Sequence, residues 1–185
     1  MTDKFQNKYR IESTRKPNWD YSSSGWYFIT ICTNYKECYF GEIYDKEMHL
    51  NELGNVAHNE LLKTSTIRKN IKLGEFVVMP NHIHAIIIID SPRNVETRRG
   101  ASLQSRFGPL ISQSLGSVIN HFKGSVTKYA NEKQISFQWQ SRYHDRIIRN
   151  EFEYSAKVEY ILNNPARWEE DRNNPKNINL PRRGG

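Results

Sequence analysis

The chain has 185 residues, a formal net charge of +7 and a sequence pI near 9.4, long enough for one domain with a substantial core. No stretch approaches the roughly 18 apolar residues of a membrane span. The first residues, Met1-Thr2-Asp3-Lys4-Phe5, lack an apolar signal core, so the expectation is a cytoplasmic protein. Cys32 and Cys38 are the only cysteines. Without a second pair they read as small buried hydrophobes rather than a zinc site. Residues 91–149 hold ten Lys/Arg against three acids, which equals the whole excess of the chain. A field concentrated in this way favours a polyanion, nucleic acid before an anionic membrane.

Residues 1–25 are polar and basic and read as a flexible arm. Trp26 to Thr33 has the β-branched and aromatic content of a central strand. Cys38 to Ile43 and Met48 to Asn51 read as a shorter pair turning at Asp45-Lys46. A helix is expected over Asn55 to Thr64, with Val56, Asn59, Leu61 and Leu62 inward. Ile71 to Met79 and His82 to Asp90 form a hairpin about Pro80-Asn81. Residues 91–108, rich in Ser, Arg, Gly and Pro, are a loop or lid.

Pro109 suits the first turn of the next helix. Its stripe is Ile111, Leu115, Val118, Ile119, Phe122, Val126 and Tyr129. Gly116 and Gly124 would let another backbone, or a phosphate chain, come close. Ser117, Asn120, His121, Lys123 and Lys128 occupy the other side, where phosphates could be met. Phe137 to Gln140 and Tyr143 to Arg149 read as two short extended pieces. Asn150 caps a last helix that carries Glu151 and Glu153 in its first turn and stops before Pro165. Its inward stripe is Tyr154, Val158, Ile161 and Leu162. Residues 169–185 read as a tail, irregular from Asn173 onward.

The side chains with chemistry to offer lie far apart. In Phe76-Val77-Val78-Met79-Pro80-Asn81-His82-Ile83-His84, the strand period of two puts both imidazoles on one face. Two neutral nitrogens can then serve one divalent ion; two ordinary histidines at a strand entrance would look the same. On the last helix Tyr160 and Asn164 are four apart and share a face with Glu153 and Lys157. Tyr160 lies about 120° from the apolar stripe. It reads either as a reactive phenol or as a half-exposed tyrosine beside a helix-ending Asn.

Together His82, His84 and Asn164 would give two nitrogens and one oxygen, a set suited to Mg2+ or Mn2+ with phosphate oxygens completing the shell. Tyr154, explained by core packing, and Tyr143, with His144 beside it, are rival nucleophiles. Arg142, Arg146 and Arg149 beside Trp139 and Tyr143 suit single-stranded nucleic acid, or merely a charged sheet edge.

Four blocks carry a resemblance that spans roughly Trp26 to Trp168. They are FVVMPNHIH at 76–84, GSVINHFKGSVTK at 116–128, FQWQSRYHDRIIR at 137–149 and VEYILNNP at 158–165. With them the chain resembles the REP-associated tyrosine transposases, single-tyrosine members of the HUH endonuclease superfamily. The resemblance implies an α+β, ferredoxin-like domain with a central antiparallel sheet. It places metal ligands on His82, His84 and Asn164 and the nucleophile on Tyr160. Related insertion-sequence enzymes have Gln in place of Asn164, one methylene longer.

Such enzymes cut single-stranded DNA near a hairpin, form a 5′-phosphotyrosine and leave a 3′-hydroxyl without ATP. They act as monomers or as dimers that exchange the tyrosine helix. The DNA-binding candidates are Lys123, Lys128, Trp139, Arg142, Tyr143, Arg146 and Arg149, with His121 and His144 secondary. The reading from another class is a hairpin or single-strand binder of the same fold without cleavage. A histidine-triad hydrolase would need a further His where Ile86 stands, and no H-E-x-x-H zinc motif occurs.

Overall fold

The computed structural model describes residues 4–5, 8–9, 19–90 and 114–177. The loop expected over 91–108, Pro109, Ile111, four of the ten basic residues and the tail beyond 177 lie outside these residues. Near the N-terminus Lys4–Phe5 (β1) and Lys8–Tyr9 (β2) form a minimal antiparallel pair.

The strand Gly25–Thr33 (β3) is flanked on both sides, because its aromatic and β-branched residues can be buried on both faces. Beyond it run Gly41–Tyr44 (β4) and Glu47–Leu50 (β5), then helix Glu52–Ile67 (α1). The hairpin Ile71–Val78 (β6) and His82–Ile89 (β7) follows. Helix Leu115–Glu132 (α2), strand Trp139–Ile148 (β8) and helix Glu151–Leu162 (α3) complete the domain. The main sheet has four strands in the order β6-β7-β3-β8, each neighbouring pair antiparallel. This is the expected α+β sheet with helices packed on it.

Strand alternation gives the sheet two different faces. Tyr27, Ile29 and Ile31 of β3 and Ile83, Ala85, Ile87 and Ile89 of β7 point to the layer holding α1 and α2, the larger core. Phe28 and Ile86 point the other way, to α3, where Ile148 and Ile161 close a smaller cluster with Trp26, Tyr154 and Val158 around it. His82 and His84 belong to this second face. The β6 ladder slips between Leu73 and Phe76. There a Cβ on Gly74 would lie 3.1 Å from the Tyr154 hydroxyl and from Ile86, so glycine lets α3 come down onto the sheet.

Several sequence expectations change. The α1 helix begins earlier, capped by Asn51, whose side chain accepts from Gly54 N. Its buried stripe is Leu53, Ala57, Leu61 and Thr64, and Asn59 and Leu62 face solvent. The β4–β5 turn does fall at Asp45-Lys46, both with positive φ as a two-residue hairpin requires, but Cys38 precedes the strand and is exposed. The α2 helix starts at Leu115, because Ser114 is extended and caps it through Ser117 N. Gly124 has open space around its Cα rather than a close neighbour.

The two extended pieces expected at 137–149 merge into the single edge strand β8, with an irregularity opposite Ile31 and Thr33. Leu162 is exposed. The described end of the N-terminal arm is docked: Tyr21 is buried, its carbonyl accepts from Leu115 N, and Trp19 Nε1 donates to the Tyr27 hydroxyl. No helix among the described residues is long and apolar enough to cross a membrane.

Candidate functional site

The β6–β7 turn is held by its own backbone, with Met79 N bonding His82 O at 2.8 Å and Thr33 N bonding Asn81 O at 2.9 Å. Asn81 is fully buried and orients the first imidazole. Its Nδ2 donates to Lys36 O at 2.8 Å and to Asn173 O at 2.7 Å. Both amide hydrogens are thereby used, and Oδ1 is left to accept from His82 Nδ1 at 2.9 Å. The proton of His82 is therefore on Nδ1, and Nε2 presents a bare lone pair. His84, paired across the ladder with Thr30, has its Nδ1 2.9 Å from Thr30 Oγ1. With Nδ1–H donating to Thr30, Nε2 accepts from the Tyr160 hydroxyl at 3.3 Å.

What faces these nitrogens is unusual for a buried site. His82 Nε2 and Asn164 Oδ1 are buried and have no hydrogen-bond partner among the described residues. Asp171 Oδ2 lies 3.8 Å from His82 Nε2, with its carboxylate side chain buried. Oδ1 of the same carboxylate accepts from Asn173 N. Donor atoms of His82, His84 and Asp171 lie within 4.8 Å of one another. Burial drives the pKa of His82 down to about 3, with the neighbouring Asn164 amide pulling the other way. Burial, and next the His82 ring, hold His84 well below its ordinary value too. The rings are therefore neutral near pH 7, and a protonated imidazole does not neutralise Asp171. Apart from the Tyr160 hydroxyl on His84 Nε2 and the Asn173 amide on Asp171, the group presents lone pairs and a carboxylate that could hold a cation. The residues present fit a divalent ion.

Tyr160 projects beside this group from α3, 38% exposed. Its ring stands edge-on to His84 at 5.1 Å and to Phe28 at 5.9 Å. Burial and the Asp171 charge raise its phenol above the ordinary value. It is therefore protonated at neutral pH, and its reactivity depends on removal of that proton.

The four residues singled out from the sequence, His82, His84, Tyr160 and Asn164, come together. The remaining candidates divide by face. His144 and Arg146 pair with Thr30 and Phe28 and so share the site face; both are exposed. Tyr143 pairs with Ile31 and packs against the larger core, on the opposite side of the sheet from His84. That placement removes it as a rival nucleophile. Trp139 is not a free stacking surface: its ring packs against Phe40, Phe122 and Phe137, and Nε1 donates to Lys123 O. Lys123 donates to Gln140 O. With exposed Lys128 and His121 it sits on α2, in the far layer. Arg142, within β8, and Arg149, just past its end, are exposed.

Asp171 was invisible in the sequence, where it sat in a supposed tail. The 3-10 segment Pro165–Glu170 brings the chain back toward β7, and Asn174 Nδ2 to Trp168 O fastens it. The one available hint was Asp-x-Asn, a spacing at which an Asp side chain accepts from the backbone two residues on.

An uncharacterized protein of Haemophilus influenzae is 39% identical over 178 residues, covering 93% of this chain and 98% of that protein. The chain belongs to the same family. Its fold is similar to that of a REP-associated tyrosine transposase bound to a REP hairpin, with TM-score 0.54 at 18% identity over 85% of this chain and 76% of that one. A putative transposase from Deinococcus radiodurans R1 aligns at 15% identity over 80% of this chain and 97% of that one. Its TM-score of 0.38 is too low to bear on the fold. No protein-family model matches the chain.

Proposed function

We propose that this protein is a metal-dependent transposase that nicks and rejoins single-stranded DNA beside a hairpin through a tyrosine nucleophile. The observation that carries the reading is the Tyr160 hydroxyl lying 3.3 Å from His84 Nε2, at the open edge of a buried His82-His84-Asp171 group able to hold an ion. His82, His84, Asp171 and Asn164 would hold Mg2+ or Mn2+, oxygen and nitrogen donors being suited to either. Such an ion supplies polarisation of a phosphoryl oxygen and orientation of the attacking group.

The chain's own residues do the rest. Asn81 holds His82 in the tautomer that exposes Nε2, Thr30 Oγ1 hydrogen-bonds Nδ1 of His84, and Phe28 stacks on His84 at 5.2 Å, fixing its plane. Tyr160 is presented from the start of the last turn of α3, with its hydroxyl toward the site and one edge of the ring in solvent. In the reaction the Tyr160 oxygen bonds phosphorus as the bond from phosphorus to O3′ breaks. The phenol loses its proton to solvent and the leaving O3′ gains one. The energy of the broken bond is kept in the 5′-phosphotyrosine, and the reverse attack by a 3′-hydroxyl joins strands without ATP.

Likeness in fold to a transposase bound to a REP hairpin supports hairpin DNA as the substrate class. The test is incubation with labelled single-stranded hairpin oligonucleotides and Mn2+, followed by denaturing electrophoresis. A covalent protein–DNA band is expected, lost with chelator and lost in Tyr160→Phe. A full-strength band from Tyr160→Phe would refute the nucleophile assignment. Salt-sensitive hairpin binding with no band under any condition would favour the non-cleaving binder of the same fold.

A further inference from the structure

One turn before Tyr160, Lys157 lies against the same group of rings. Its Nζ is 4.7 Å from the centroid of Phe28 and 5.4 Å from that of Tyr160. Phe28 thus touches imidazole, phenol and ammonium at once. The cation has no acid within ion-pair distance among the described residues. Glu153, the acid on its side of the helix, accepts from Arg149 N through Oε2 at 3.0 Å, and its charge acts favourably on Lys157 without forming an ion pair.

Nor is Lys157 the only cation in the group. Arg146 sits across the ladder from Phe28 on the same face, and its charge acts on Lys157. Burial and this repulsion together hold Lys157 below the ordinary lysine value. A lysine packed on aromatic rings needs only the rings. Lys157 on its half-buried aromatic floor and Arg146, exposed on the same face of the sheet, set two positive charges against the carboxylate of Glu153, a surplus suited to receiving an anion.

We infer that Lys157 and Arg146 form the seat for the phosphodiester that Tyr160 attacks. The inference rests on the function proposed above and adds the substrate-positioning cations to it. Lys157 takes no proton and gives none. It neutralises charge on the non-bridging oxygens while the Tyr160–phosphorus bond forms and the bond to O3′ breaks.

Two experiments separate this seat from the transposase reading. In the first, the cut site is mapped with wild-type protein. Adduct formation is then timed for Lys157→Met, Lys157→Arg and Arg146→Gln, with thermal melts to verify folding. Lys157→Met is expected to slow the adduct on the order of 100-fold, with Lys157→Arg recovering most of it. In a Tyr160→Phe background, a neutral methylphosphonate at the mapped position should weaken binding, and Lys157→Met should erase that difference. A merely structural lysine would leave the difference in place.

The second experiment follows the Lys157 and Arg146 side-chain NMR signals during titration with phenyl phosphate. Saturable shifts are expected, and they should be absent from Lys157→Met. If wild type forms the adduct while the Lys157 variants keep its rate and the methylphosphonate penalty, the seat is overturned and the enzyme stands. If phenyl phosphate shifts both signals but no adduct ever forms, the seat stands and the transposase reading falls. If neither signal moves, the seat is overturned whatever the oligonucleotides show.

Discussion

Asn81 shows how much of the site hangs on one amide. Its two hydrogens are spent on Lys36 O and Asn173 O, so its oxygen dictates the tautomer of His82. Replacing it with Ala leaves His82 free to rotate and strands two buried carbonyls. Mn2+ affinity, read by calorimetry, should fall about 10- to 100-fold, as for other groups that orient metal-binding histidines. The neutral rings also make a pH prediction. The unfolded chain binds protons on these imidazoles from about pH 6.5 downward, whereas folded His82 resists until about 3 and His84 is shifted the same way. Between those limits the unfolded state holds more protons, so the stability of the metal-free protein must fall as pH is lowered from 6.5 toward 3. Chemical denaturation at stepped pH checks this, and a flat profile over that interval would contradict the burial argument. His84 Nε2 adds a constraint of its own. Its one lone pair serves either the Tyr160 hydroxyl or an ion, so loading the site must change the phenol's partner.

Among the elements, β3 and α3 determine the chemistry. Thr30 and Phe28 alternate with Tyr27, Ile29 and Ile31, so one strand orients an imidazole on one face and fills the main core on the other. The same alternation sends His144 and Arg146 toward the site and Tyr143 away from it. That distinction was not legible before register was known, because a one-residue slip exchanges the faces. Helix boundaries were legible where a cap announced them, as at Asn150, whose Oδ1 accepts from Glu153 N. The start of α2 was not legible: Ser114 caps it through Ser117 N, and nothing in the apolar stripe singles that serine out. Gly124 in α2 supplies an element-level prediction. It is helical, exposed and has nothing within 4 Å of the position a Cβ would take. Gly124→Ala should therefore stabilise the protein by about 1 kcal/mol in denaturant titration, with no change in DNA binding. Loss of hairpin affinity would mean instead that a nucleic-acid backbone passes there.

For the whole molecule, the described domain is a sheet with unequal sides: α1 and α2 bury the larger core, and α3 covers the other face only in part, leaving the tyrosine at its rim. Closing the site requires the segment after α3 to return, since Asp171 and Asn173 reach β7 from beyond Pro165. A divalent ion bound only by the folded protein must then stabilise the entire domain. At a free concentration 100 times its Kd, Mn2+ should add about 2.7 kcal/mol, a melting rise on the order of 5–10 °C for a chain of this length. His82→Ala should abolish that increment and Asp171→Asn should reduce it; a thermal scan with and without Mn2+ reads both.

The sequence by itself located the central strand and the β6–β7 hairpin, because their β-branched and aromatic runs read as strands. It also determined the pairing of His82 with His84, because a spacing of two fixes a shared face within one strand, and it set Tyr160 and Asn164 a turn apart, although α3 ends at Leu162 and Asn164 lies just beyond it. Only the tertiary structure decided that these pairs meet, that Asp171 joins them and that Arg146 comes to share a face with Phe28, on which Lys157 packs. Those proximities join residues many positions apart, and no local periodicity encodes which distant lone pairs will be left facing one another.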